Sequence, residues 1–148
     1  MEYNELLESA ARITPQWLAG FFDGEGCVSV FKNGDGLPRI GVSVGQSEPT
    51  VLSLIAIRFG NICNPSEKYS KKLGKRFFLV SWSGKSALPI LEMIKDHVII
   101  KRKQVELGIE MIKLISDAGQ VCSVENKEKR YEIMEQMKNL NSRSEERI

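Results

Sequence analysis

Two carboxylates lie close together in a glycine-rich stretch near the start of the chain. Asp23 and Glu25 alternate with Gly24 and Gly26, so each acid is followed by a glycine. Carboxylate and backbone carbonyl oxygens are the ligands that hard divalent cations prefer in proteins. Taken alone, however, such a stretch also fits a helix end and a turn, with Glu25 as an ordinary solvated side chain and Asp23 as a local capping residue.

The stretch is predicted to end a short helix. Thr14 before Pro15 is typical of an N-cap followed by proline at the first helical position, so we expect a helix from Pro15 to about Asp23. Gly24 and Gly26 are predicted to end it, because glycine favours the left-handed conformation found after helix ends. Glu25 would then emerge where the helix stops.

Small residues on one face of this helix indicate a close contact with a second helix. Gly20 and Gly24 are four positions apart, and Ala19 and Phe22 lie beside them. A glycine inside a soluble helix costs about 1 kcal/mol relative to alanine. We therefore expect the glycines to allow two helix backbones to approach each other.

The nine residues from Leu18 to Gly26, LAGFFDGEG, resemble the motif of the LAGLIDADG homing endonucleases. The resemblance extends from about residue 14 to residue 115. It implies an α+β fold of the order αββαββα, with a four-stranded antiparallel DNA-binding sheet and helices on one face. We find one motif only, so the resemblance also implies a homodimer of the single-motif type that makes double-strand breaks in a long pseudo-palindromic DNA site and serves intron homing.

The same resemblance implies roles for individual residues. Glu25 would be a catalytic residue and bind Mg²⁺, or another divalent cation such as Mn²⁺, together with the Gly24 carbonyl oxygen. Gln46 would order water near the scissile phosphate, and Lys101 would stabilise the phosphate or activate the nucleophile. The family often has a basic residue shortly after the position of Gln46, but residues 47–50 contain none. The dimer interface would comprise Leu18, Ala19, Gly20, Phe22, Asp23 and Gly24.

Two β-hairpins are predicted from alternation and turn signals. A strand from Cys27, the turn 33–36 and a second strand through Val44 form the first hairpin, with Ile40, Val42 and Val44 facing the core. The second is expected from about Ile62 to Trp82, with its turn at residues 71–74. A helix from about Thr50 to Phe59 separates the hairpins.

Helices are predicted for most of the remaining chain. We expect a helix capped by Ser83, a continuing helix from Lys101 to Ser116, and an amphipathic helix over residues 124–141 with Tyr131, Met134, Met137 and Leu140 inward. The tail from Asn141 is predicted to be disordered. These elements divide the chain into an N-terminal extension (1–13), the endonuclease domain (14–123) and a C-terminal helix and tail (124–148).

Charge is unevenly distributed along the 148 residues. Residues 1–60 carry a net charge of −3, residues 61–103 carry +7 and residues 104–148 carry −2. A basic middle third in a nearly neutral chain fits a nucleic-acid backbone, although solvated lysines are the simpler explanation. Given the motif, we predict that the outward sheet face binds double-stranded DNA through Ser29, Phe31, Asn33, Arg39, Ser43, Lys68, Lys71, Lys72, Lys75 and Arg76.

Composition excludes several other classes of protein. No apolar run reaches the length of a membrane span, and the acidic N-terminus has no apolar signal core, so we expect a protein that is not secreted and contacts no membrane. Its compartment would be the cytoplasm or nucleoid of a microbe or phage host, or an organelle matrix. Three separated cysteines indicate free thiols in a reducing compartment. The lone His97 argues against a histidine-based triad.

Two other functions remain open from the sequence. An intron maturase or a non-cleaving DNA- or RNA-binding protein would use the same fold, and maturases can retain Glu25. A generic α+β interaction protein would need only the fold and a solvated basic segment. The sequence does not specify the target site, the host gene or the source.

Overall fold

The structure is a computed structural model that describes residues 2–60 and 65–146, with side chains described as far as residue 142. Its elements in chain order are α1 (Tyr3–Ala11), α2 (Pro15–Glu25), β1 (Gly26–Lys32), β2 (Pro38–Gln46), α3 (Pro49–Arg58), β3 (Ser66–Ser70), β4 (Lys75–Ser83), a 3₁₀ turn (Gly84–Ala87), α4 (Leu88–Ile94), α5 (Arg102–Ala118) and α6 (Val124–Glu146).

The four strands form one antiparallel sheet in the order β1-β2-β4-β3. Ile40, Val42 and Val44 of the central strand β2 have no exposed surface, because their side chains pack under the helices. This alternation confirms the inward face predicted for β2. The predicted α+β class and the antiparallel sheet with its helices are likewise confirmed.

Glycine at position 108 lets α5 lie close to the sheet. A methyl group there would come within 2.9 Å of Ile40 Cδ1, 3.1 Å of Leu91 Cδ1 and 3.2 Å of Val28 Cγ1. These distances are shorter than the contact distance of about 3.5–4.0 Å between carbon atoms. A buried glycine in mid-helix is therefore explained by close approach between α5, α4 and the two strands.

The terminal helices pack on the same core. Ile13, which follows α1, and Ile133 and Met137 of α6 belong to one buried cluster with the residues of the sheet. Arg130 of α6 is 1% exposed, and its Nε and Nη2 donate to the carbonyl oxygen of Pro38 at 3.1 and 2.5 Å. This contact joins α6 to the start of β2.

Several helix boundaries differ from the prediction. The motif helix continues to Glu25, and Gly26 is extended (φ −89°, ψ 161°), so the expected left-handed glycine was wrong. Residues 95–101 separate α4 from α5, and the Ser83 side chain makes no capping hydrogen bond. Helix α6 continues to Glu146 through most of the tail predicted to be disordered.

One predicted boundary cannot be compared, because Ile62, the expected start of the second hairpin, lies outside the described residues. The hairpin itself is present as β3 and β4, joined by a turn at residues 71–74. Among the described helices, none is long and apolar enough to cross a membrane.

Candidate active site

The end of the motif helix lies beside the end of β2. Gly26 pairs with Val44 in the sheet, so the register brings the residue before Gly26 close to the residues after Val44. Glu25 and Gln46 accordingly line one groove of about 480 Å³. The two residues that the resemblance implied for metal and water binding are therefore neighbours in space, although 21 positions separate them in the sequence.

The groove is also lined by side chains that were predicted to contact DNA. Ser43, Lys75 and Arg76 line it together with Cys27, which sequence reasoning had treated only as a free thiol. Cys27 and Ser43 are paired residues on adjacent strands, so they share a face of the sheet. The groove thus joins an exposed carboxylate to polar and basic groups.

The side chain of Lys101 forms its hydrogen bonds at the end of the motif helix. Its Nζ donates to the carbonyl oxygens of Phe22 at 3.1 Å, Asp23 at 3.1 Å and Gly26 at 2.5 Å. Burial lowers the pKa of Lys101, while the nearby acidic groups, Cys27 first and then Asp23 and Glu25, oppose that shift. An ammonium group has three N–H donors, so these three acceptors satisfy it completely.

Asp23 is a capping residue, but its partners are distant in sequence. Its Oδ2 accepts from the Ile99 N–H at 2.8 Å, and its Oδ1 accepts from the Ile100 and Lys101 N–H groups at 3.1 and 3.0 Å. The expectation of a local hydrogen bond was therefore wrong in its partners. Asp23 connects the end of α2 to the segment before α5.

Half of the predicted dimer interface is buried in the chain itself. Leu18, Ala19 and Phe22 are 0%, 1% and 0% exposed. These three assignments were wrong, because side chains without accessible surface cannot lose any to a second copy. They instead hold α2 on the sheet and the neighbouring helices.

The exposed face of α2 is flat and apolar. Gly20 and Gly24 are exposed, and a methyl group at either would meet nothing within 4 Å. On the same face Trp17 and Phe21 stack with their ring centroids 5.4 Å apart and their planes 9° from parallel. Sequence reasoning missed these two aromatic residues, although Trp17 is three positions before Gly20 and Phe21 is three positions before Gly24, so they lie on the side of the helix that carries the glycines.

The helix-free face of the sheet carries most of the residues predicted to contact DNA. Strand pairing places Ser29, Phe31, Arg39 and Ser43 on this face, and Lys68 and Lys75 of the second hairpin share it with Phe77. Asn33, Lys71 and Lys72 are exposed in the two hairpin turns. In the part of the chain that the structure describes, no ion pair involves these four lysines.

Two arginines differ from this pattern. Arg76 alternates with Val80 and Trp82, so its side chain starts from the helix-covered side of the sheet, and its Nη1 lies 3.2 Å from Glu67 Oε1. Its assignment to the outward face was wrong, although it does line the groove. Arg39 faces outward but forms an ion pair with Asp35 at 3.1 Å.

The donor set at Glu25 suits a hard cation but is incomplete in one chain. Within residues 2–60 and 65–146, no group of three acidic, histidine or cysteine side chains is close enough to hold a metal ion. Three backbone oxygens near the helix end are already bound by Lys101. Glu25 and the Gly24 carbonyl oxygen would leave most positions around Mg²⁺, which requires six oxygen ligands, to water, DNA or a second copy.

Solved structures share the fold of the chain. No family model matches the chain, and no curated protein matches it. The homing endonuclease I-CvuI in complex with its target has a TM-score of 0.63 and 22% identity, over 94% of this chain and 85% of that one. The archaeal intron-encoded homing endonuclease I-Vdi141I, complexed with DNA, has a TM-score of 0.65 and 15% identity, over 85% and 82%.

A third structure with the same fold is named after the LAGLIDADG motif. The LAGLIDADG homing endonuclease I-GzeII, in complex with a DNA target, has a TM-score of 0.63 and 20% identity, over 82% of this chain and 42% of that one. The chain has the LAGLIDADG homing endonuclease fold. The nine motif residues form the last eight positions of α2 and the first position of β1.

Proposed function

We propose that this protein is a site-specific DNA endonuclease that acts as a homodimer and hydrolyses one phosphodiester bond in each strand of a long pseudo-palindromic site. The observation that carries the proposal is the groove in which Glu25 and Gln46 lie beside the helix-free, basic face of the sheet. Structures with this fold include homing endonucleases in complex with DNA, which supports the choice of ligand.

Two residues of the groove, Glu25 and Gln46, have chemical roles in this proposal. Glu25 binds the divalent cation through its carboxylate, with the Gly24 carbonyl oxygen as a further ligand. Gln46 Oε1 accepts from Ser47 N–H at 2.8 Å and from Ser47 Oγ at 3.2 Å, so its Nε2 amino group is left to donate to water or phosphate. A divalent cation held there, Mg²⁺ or Mn²⁺, would supply water activation and charge neutralisation at the leaving oxygen.

The sheet face supplies affinity and register on DNA. Lys68, Lys71, Lys72 and Lys75 contact phosphates, which positions the protein without reading sequence. Ser29, Ser43 and Arg39 lie on strands that can reach base edges in the major groove. Arg39 has to leave Asp35 in order to do so.

A second copy is required because each chain offers one Glu25, and cutting both strands needs two such sites. Two copies of α2 meet through Gly20 and Gly24, with the Trp17–Phe21 stack at the edge of the contact. The exposed apolar face of α2 supports this arrangement, and a symmetric dimer reads a pseudo-palindromic sequence. Intron homing is the biological process to which such an enzyme belongs.

One observation favours a second candidate, an intron maturase or other non-cleaving nucleic-acid-binding protein. Lys101 is bound to backbone carbonyl oxygens, and residues 47–50 supply no basic side chain after Gln46. The groove therefore has fewer free cations for phosphate than the resemblance implied. The structure of I-CvuI with 2 mM Mg and uncleaved DNA illustrates binding without cleavage on this fold.

The decisive experiment presents the protein with a pooled DNA library of pseudo-palindromic and intronless-gene sites, with Mg²⁺ or EDTA, and sequences the ends produced. We expect Mg²⁺-dependent double-strand cuts at one long site. Glu25→Gln should abolish cutting and keep binding, while Glu110→Gln, a matched exposed change on α5, should cut normally. Enrichment by binding without cuts would instead support the maturase or regulator, to be tested by RNA splicing.

The proposed interface has its own test. Gly20→Leu places a branched side chain on the exposed face of α2 and should convert the dimer to a monomer in sedimentation. Ala11→Leu, which adds an apolar side chain to the exposed end of α1, should leave the dimer intact. A Gly20→Leu protein that still sediments as a dimer would show that α2 is not the contact.

A further inference from the structure

The segment between α4 and α5 is held by the packing of Val98, which is 5% exposed and belongs to the core, and after Val98 by a carboxylate. Ile99 and Ile100 are 84% and 74% exposed, so burial of these two side chains does not fix their backbone. Their N–H groups, and that of Lys101, donate to Asp23 at 2.8 to 3.1 Å. Hydrogen bonds to a charged group are stronger than those between neutral groups, so three of them contribute to ordering this short segment.

The same segment also places the ammonium group of Lys101 at the end of α2. The last carbonyl groups of a helix have no intrahelical donors, and positive charge at this end is favourable. Lys101 Nζ donates to the carbonyl oxygens of Phe22, Asp23 and Gly26, around the last turn of α2. These bonds satisfy the ammonium group and add a positive charge at the helix end, where the Phe22 carbonyl oxygen also accepts from the Gly26 N–H.

Together these six hydrogen bonds connect the two segments in both directions. Asp23 reaches from α2 to residues 99–101, and Lys101 reaches back to α2. Glu25 lies between Asp23 and Gly26, both of which are held by Lys101 through their carbonyl oxygens. The backbone on either side of the Glu25 carboxylate is therefore fixed from residues that are more than 70 positions away.

We propose that Asp23 and Lys101 form a reciprocal clamp that positions Glu25 in the groove, and that Lys101 acts as a positioning residue without contacting the scissile phosphate. The part that concerns Glu25 rests on the proposed nuclease function. The clamp itself is a property of the folded chain and can be tested without DNA.

Amide hydrogen exchange tests the clamp without reference to activity. In Asp23→Ala, the amides of Ile99, Ile100 and Lys101 should exchange at least tenfold faster, while those of Val42 and Val44 stay protected. Asp23→Asn retains one side-chain oxygen as an acceptor, so in this variant the same three amides should lose their protection only in part. It replaces the alanine variant in the experiment if Asp23→Ala folds poorly. Asp96→Asn, an acid-to-amide change in the same segment, should alter none of these amides. Unchanged exchange in both Asp23 variants would overturn the clamp.

Cleavage at varied Mg²⁺ concentration tests the positioning role. Residues that orient metal ligands typically affect metal affinity by about 10- to 100-fold. Lys101→Met should therefore raise the half-saturating Mg²⁺ concentration by about 10-fold or more, with binding to DNA in EDTA unchanged. Lys103→Met, which removes an exposed charge two positions away, should behave as the wild type. A lower maximal rate at unchanged Mg²⁺ dependence would overturn the positioning role in favour of direct phosphate contact.

A double variant tests whether Asp23 and Lys101 act together or independently. If Asp23 and Lys101 act as one unit, Asp23→Ala should show the same rise in half-saturating Mg²⁺, and the double variant should add little to either change. Additive effects would overturn the reciprocal arrangement. A protein that binds and cuts no DNA would refute the proposed function, whereas the exchange experiment would still decide whether the clamp exists.

Discussion

Replacing Gly26 with alanine should destabilise the chain through a single contact. Gly26 joins α2 to β1 and is extended, with φ −89° and ψ 161°, a conformation that alanine adopts without strain. A methyl group at this position would nevertheless lie 2.5 Å from Phe22 Cγ and 2.6 Å from Phe22 Cε2. Glycine is therefore required for close approach to the ring and not for backbone freedom.

The size of the effect follows from the position of the ring. Phe22 is fully buried in the core, and because Cγ is its point of attachment, turning the ring about its own axis cannot relieve the contact. Forcing extra methyl groups into packed cores costs about 1–3 kcal/mol, and removing a phenylalanine side chain from a core costs about 3–5 kcal/mol. Alanine recovers about 0.4–1 kcal/mol by restricting the unfolded chain. Because the contact distances are far below van der Waals contact, we take the upper end of the overpacking cost, about 3 kcal/mol, and after this gain we expect a net loss of about 2–2.6 kcal/mol.

Urea unfolding at matched protein concentrations measures this loss. Gly34→Ala is the control, because Gly34 has no positive φ and a methyl group there meets nothing within 4 Å. The control should be neutral or more stable by about 0.4–1 kcal/mol. If Gly26→Ala unfolds at the same urea concentration as the wild type with an unchanged slope, the tight Phe22 contact does not determine the choice of glycine.

Two further predictions concern single side chains. Cys27 is exposed and lines the groove, so alkylation with a bulky maleimide should block DNA cleavage in the wild type but not in Cys27→Ser; equal inhibition of both would assign the sensitive thiol elsewhere. Glu48 caps α3 by accepting from the Thr50 N–H at 3.0 Å, and this hydrogen bond lowers the pKa of Glu48. A carboxylate whose folded pKa is depressed stabilises the protein above its unfolded pKa and ceases to do so as pH falls through its folded value. Glu48→Gln should accordingly be less stable than the wild type at pH 7 and equally stable well below the unfolded value of 4.5, as measured by urea unfolding at each pH; a difference that persists in acid would contradict this.

Features that depend on residues close in sequence could be predicted. Thr14 accepts from the Trp17 N–H at 3.1 Å, as its position before Pro15 indicated, and the alternation of β2 identified its buried face. The two hairpins and α3 followed from turn residues and period. Each of these signals is local, because caps, turns and alternation involve atoms within a few positions of one another.

The electrostatic partners at the site could not be predicted in this way. Lys101 was expected to contact phosphate, and Asp23 was expected to form a local hydrogen bond, but each bonds to residues more than 70 positions away. The local hydrogen bond expected for Asp23 was therefore wrong in its partners, whereas the role implied for Lys101 at the phosphate or the nucleophile stays a prediction. The sequence shows which donors and acceptors exist, whereas the fold determines which of them are close enough to satisfy one another.

The sequence by itself determined the motif helix and the two hairpins, and the resemblance of the motif implied Glu25 as the metal-binding carboxylate. Only the tertiary structure decided which glycines have open space beside them and which lie against the core. Gly20 and Gly24 face solvent, whereas Gly26 lies against Phe22 and Gly108 against the sheet. Local spacing fixes the direction of a residue around its own helix, but the neighbouring atoms come from other elements, so packing alone distinguishes a surface that can accept a partner from one already filled.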